Sequence, residues 1–88
     1  MGKNEKIAEL YRIIASLTTA DECKLFFDDL CTNKEVEKMA ERLYAAKLLL
    51  DGKTYNQVIA ETEISSATLS RVSRCVQYGN GYSTLLKR

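Results

Sequence analysis

An all-α fold is predicted by three features of this 88-residue chain: it contains no proline, 45% of it is hydrophobic, and helix-opening signals recur along it. The length allows one small domain, 1–88, and leaves no room for a second. Within it, residues 1–52 are expected to supply dimerisation helices and 54–78 a helix-turn-helix. Residues 79–88 are expected to form a short C-terminal segment.

The first helix is predicted from Asn4 to Ser16, because Ile7, Leu10, Tyr11, Ile14 and Leu17 recur at helical spacing and Ile13 widens their stripe. A second is predicted from Ala20 to Leu30. It opens on a capping box, Thr19 with Glu22, and Cys23, Phe26, Phe27 and Leu30 form one face. Thr32 with Glu35 repeats that signal for a third helix, Asn33 to Leu50, which ends where Gly52 can adopt a left-handed cap.

The third helix changes character along its length. Val36, Met39, Ala40 and Leu43 make an ordinary stripe, but from Tyr44 to Leu50 only Lys47 interrupts apolar residues pointing nearly all round. A helix that is apolar on all sides must be covered on all sides, and a small monomer buries too little surface to do it. A homodimer with interleaved helices follows, with a monomeric bundle as the alternative.

Residues 54–78 carry the most informative pattern. Thr54 with Gln57 is a third capping box, opening a short helix to about Thr62 whose buried side is expected at Val58, Ile59 and Ala60. After the break Glu63-Ile64-Ser65, Ser65 is the candidate cap of a longer helix ending before Gly79. Short helix, tight turn and second helix have helix-turn-helix spacing. On the second helix Leu69, Val72 and Val76 face inward, bordered by Thr68 and Cys75, while Ser66, Ala67, Ser70, Arg71 and Arg74 face outward.

Charge is distributed in the same sense. Thirteen basic and twelve acidic side chains give a net +1, which excludes a generic coat for nucleic acid or anionic lipid. Residues 1–63 carry a net −3, whereas 64–88 carry Arg71, Arg74, Lys87 and Arg88 with no acid. An anionic partner for the C-terminal quarter is implied. Small residues let a helix sit deep in the DNA major groove, where Arg and Ser can reach base edges or phosphates. Ser66, Ala67 and Ser70 are thus candidate base readers, with Arg71 and Arg74 on guanine or phosphate. Ser65, at the helix start, and Lys53, Thr54 and Gln57, near the short helix, are candidates for backbone phosphates.

Other classes recede. There is no histidine, and Cys23, Cys31 and Cys75 lack metal-ligand spacing, so neither a metal site nor an enzyme is expected. No membrane span is expected, since the longest apolar run, around Leu48, is too short. An odd cysteine count without a secretory signal points to the cytoplasm.

The chain also resembles the Trp repressor-like proteins, in particular their YerC/YecD group. The resemblance is carried by Leu30-Cys31-Thr32, by ERLYAAKLLLDGKTY from Glu41 to Tyr55, and by SSATLSRVSRCVQYGNGY from Ser65 to Tyr82. It implies an intertwined homodimer presenting two helix-turn-helix units to successive major grooves of double-stranded DNA, as a transcriptional repressor. It also implies an effector pocket at Thr32, Arg42 and Arg71, the positions matching the repressor's tryptophan-binding residues. Val72 stands where the repressor has glycine, and Asp29 and Cys31 replace apolar residues, so no tryptophan co-repressor is expected; any other effector is left open. Glu63 stands where a turn glycine is usual in the group, which predicts either a different turn or a strained left-handed residue. The competing function is a protein-interaction module that keeps the scaffold without binding DNA, docking through an exposed third helix.

Overall fold

The computed structural model describes residues 1–87, so Arg88, counted in the C-terminal charge, lies outside the described residues. The described residues form six helices: α1 (Lys3–Ser16), α2 (Ala20–Leu30), α3 (Asn33–Leu50), α4 (Tyr55–Glu61), α5 (Ser66–Tyr78) and α6 (Gly81–Leu85). Their internal contacts group the chain into two units, Met1–Asn33 and Lys34–Arg88.

In the first unit, Arg12 holds Glu9 one turn back through a two-pronged ion pair, with Nε to Oε2 at 3.0 Å. Thr19 caps α2 by accepting from the Glu22 N–H at 3.1 Å. The return half of the expected capping box is corrected. The Glu22 carboxylate reaches mainly to Thr18, whose N–H and hydroxyl donate to one oxygen at 2.7 and 2.8 Å. Two donors on one charged oxygen make Thr18 the stronger partner, with the Thr19 N–H a lesser one. These bonds hold the Glu22 carboxyl below its ordinary range, the backbone bond being the larger cause. Phe26 and Phe27 meet edge to face, with centroids 5.7 Å apart. Neither α1 nor α2 contains a buried residue; Leu10, Ile13, Ile14 and Leu17 of the predicted stripe are half-buried, while Ile7 and Tyr11 are exposed.

The second unit is built on Ala45, Ala46 and Leu48 of α3, Val58 of α4, and Leu69 and Val72 of α5. Leu49, Ile64, Val76, Tyr82 and Leu86 pack around these six. The apolar stretch of α3 is therefore covered on one side within the chain, and Leu43 and Tyr44 remain 44% and 48% exposed. Helix α3 closes on Gly52 at φ +90°. The Gly52 N–H bonds Leu49 O at 3.1 Å and the Lys53 N–H bonds Leu48 O at 3.0 Å, the paired bonds of a Schellman motif.

The expected buried side of α4 is corrected. Val58 is buried, but Ile59 and Ala60 are exposed. In this seven-residue helix Val58 alone is buried; Ile59 lies one turn after Tyr55 at the edge of that face, and Ala60 points away from it. Helix α6 forms where only a short segment is expected. Its Tyr82 and the residue that caps it, Leu86, both lie against the core. Gly79, between α5 and α6, leaves no space for a Cβ, which would sit 2.6 Å from the Cys75 carbonyl oxygen.

Candidate nucleic-acid interface

Helix α4 starts on a complete capping box. Thr54 Oγ1 accepts from the Gln57 N–H at 3.2 Å, and the Thr54 N–H donates to Gln57 Oε1 at 2.8 Å. With its carbonyl oxygen engaged, Gln57 has its amide NH₂ left to offer, a group suited to an acceptor such as phosphate. Lys53, Thr54 and Gln57 are all exposed and consecutive or nearly so.

The turn from α4 to α5 takes the first of the two geometries expected from Glu63. No described non-glycine residue has a positive φ, so Glu63 is unstrained. Its N–H donates to the Glu41 carboxylate on α3 at 3.3 Å, and Ile64 fills the angle of the turn against the core. Ser65 then caps α5 by accepting from the Thr68 N–H at 3.1 Å and donating to the Thr68 hydroxyl at 3.0 Å. Its only proton is thereby committed to the cap.

Along α5 the faces divide as predicted: Leu69 and Val72 are 0% and 2% exposed, while Ser66, Ala67, Ser70, Arg71 and Arg74 are exposed. Neither arginine makes an ion pair with a described residue. One member of this surface carries no mark in the sequence reading. The Tyr55 hydroxyl, from the first residue of α4, donates to Ser66 O at 2.8 Å and lies 3.0 Å from Ser70 Oγ. The sequence offers a signal only in retrospect: Tyr55 shares the α4 face with buried Val58, so an aromatic ring there must extend toward α5.

Arg42 lines an open cleft of about 840 Å³ with Glu37, Glu41, Glu63, Lys34 and Lys38, whereas Arg71 does not line it. Val72, expected to crowd an indole, belongs to the core and is absent from the cleft wall. Ala40 and Ile64 are the apolar side chains lining this cleft, and three carboxylates face it. Lys34, Lys38 and Arg42 stand there against those carboxylates, so the cleft carries both signs of charge and little apolar wall. Among the described residues, no cluster of His, Cys, Asp and Glu could hold a metal ion. No described helix is long and apolar enough to cross a membrane.

A short capped helix, an unstrained turn and a longer helix crossing it over a shared core make this an all-α helix-turn-helix protein. The chain belongs to the Trp repressor protein family, whose sequence pattern it matches over residues 5–88. It is 44% identical to the uncharacterised protein YerC of Bacillus subtilis (strain 168) over 87 residues, 98% of this chain and 84% of that one. Among solved structures it is similar to a TrpR-like protein from Eubacterium eligens ATCC 27750, with a TM-score of 0.90 and 37% identity over 98% of this chain and 90% of that one. It is also similar to a candidate Trp repressor from Staphylococcus aureus, with a TM-score of 0.88 and 38% identity over all of this chain and 94% of that one.

Proposed function

We propose that this protein is a sequence-specific DNA-binding transcriptional repressor that acts as a homodimer, inserting α5 into the major groove. The observation that carries this reading is the outer face of α5. It is exposed, acid-free and small at its start, and its two arginines have no anionic partner among the described residues. Ser66, Ala67 and Ser70 face base edges; Arg71 and Arg74 reach guanine or phosphate. Lys53, Thr54 and Gln57 meet the backbone at the start of α4. Ser65 contributes by capping α5 and leaving its helix N-terminus toward the phosphates.

Dimerisation is supported by the apolar residues that a single chain leaves exposed, among them Leu43 and Tyr44 of α3 and Leu25 and Leu30 of α2. Twofold symmetry doubles a modest basic face and sets two α5 helices about one DNA turn apart. No tryptophan-dependent step is included, since the Arg42 cleft offers an indole only Ala40 and Ile64 as apolar side chains.

Gel shift of genomic fragments across a salt series tests the proposal. Binding should be selective and fall steeply with salt as counterions are released from neutralised phosphates. Absent or salt-insensitive binding refutes it. Light scattering on an eluting peak should give about twice 9.9 kDa. A monomer that co-purifies with another protein and ignores DNA identifies an interaction module instead.

A further inference from the structure

We infer that Tyr55 sets the hydrogen-bonding polarity of Ser70, making that serine an acceptor-only reader that selects an amino base over a keto base. The inference rests on the DNA-binding reading above and concerns how one position of the site is chosen.

The argument is a count of protons. A phenol has one O–H, and the Tyr55 hydroxyl lies 2.8 Å from the backbone oxygen of Ser66, which can only accept. That proton is therefore spent on the carbonyl. The same phenolic oxygen lies 3.0 Å from Ser70 Oγ. With the Tyr55 proton spent, this second contact is a hydrogen bond only if Ser70 donates. Ser70 has a single proton as well, so its exposed side retains lone pairs and no donor.

A free serine on a recognition helix accepts from or donates to a base, and also donates to phosphate. Held by Tyr55, Ser70 does neither of the donating jobs. In the major groove it can take the N4 amino group of cytosine or the N6 amino group of adenine. Facing guanine O6 and N7 or thymine O4, it sets lone pair against lone pair. Every base pair has one amino and one keto partner, so the discrimination is between strands: A or C on the strand Ser70 faces, rather than G or T. Tyr55 acts as a positioning residue here, anchored by the capped start of α4 and bridging the two helices of the motif.

The test is selection of binding sites from a random duplex pool with full-length wild type, Ser70→Ala, Tyr55→Phe and the double variant. Ser70→Ala should flatten the preference at one position of each half-site, which identifies the base it reads. Wild type should carry A or C there, with G or T bound about fivefold to a hundredfold more weakly. Tyr55→Phe keeps the ring and removes the hydroxyl, so it should admit all four bases at that position alone. The double variant should match Ser70→Ala at that position. A second measurement needs no variant: replacing that A or C by an analogue lacking its exocyclic amino group should weaken wild-type binding at least about fivefold. The inference is overturned if Tyr55→Phe keeps the wild-type preference, if wild type selects G or T there, or if Ser70→Ala changes no position. Unchanged affinity for the amino-less analogue also overturns it. These failures leave DNA binding itself intact, whereas a wild type that enriches no motif removes both readings.

Discussion

The backbone N–H of Glu63, in the turn between α4 and α5, donates to the carboxylate of Glu41 on α3 at 3.3 Å. One carboxylate thus ties the helix-turn-helix to the helix beneath it at the point where a glycine turn would otherwise bend freely. Glu41→Ala should destabilise the fold by up to about 1 kcal/mol in urea titration and speed amide exchange at Glu63. Glu41→Gln keeps an acceptor oxygen and should fall between that variant and the wild type.

Arg74 lies beyond the small residues at the start of α5, on the exposed face. Arg74→Ala should weaken DNA binding across all sequences and lower the logarithmic salt slope by about one. Arg12, engaged by Glu9 on α1, serves as the comparison; Arg12→Ala should leave that slope unchanged. Anisotropy titrations at several salt concentrations measure both.

Two glycines are required for different reasons. Gly52→Ala forces a side chain into φ +90° and should cost about 1–2 kcal/mol, although nothing lies within 4 Å of its Cβ position. Gly79→Ala has an ordinary φ but drives a Cβ against the Cys75 carbonyl, and overpacking of this kind costs about 1–3 kcal/mol. Equilibrium denaturation should find both destabilised, with the local distortion around Gly79 reported by shifts at Cys75.

Glu22 makes part of the stability sensitive to acid. Its carboxyl pKa is lowered in the folded chain by the Thr18 bonds. The stabilisation is complete above the ordinary carboxylate pKa and is lost as pH falls through the lowered folded-state value. Melting temperatures should therefore drop less steeply on acidification in Glu22→Gln than in wild type.

Much of the fold is legible in the sequence where a local signal coincides with a tertiary need. Thr54 with Gln57, Ser65 before α5, and Gly52 after α3 each mark a helix end through bonds spanning a few residues. The inward side of α5 follows from Leu69 and Val72 for the same reason. What escapes is settled between elements. The preference of Glu22 for Thr18 depends on two donors converging on one oxygen. That Val58 is buried while Ile59 beside it stays exposed depends on how far the core of α3 and α5 extends over α4. Tyr55 reaches Ser66 and Ser70 across eleven and fifteen residues of chain, a distance over which no motif speaks. The Arg42 cleft likewise gathers α3 and the turn, and its acids become neighbours only on folding.

The six-residue core described above has a consequence for how such proteins diversify. Leu69 and Val72 anchor α5 from beneath, while Ser66, Ala67 and Arg74 are exposed and outside that core. Substitutions on the outer face therefore leave the folding free energy nearly untouched, and a descendant can acquire a new target without first becoming unstable. Ser70 is the exception, because its hydroxyl is shared with Tyr55; a lineage that changes one of them inherits pressure to change the other.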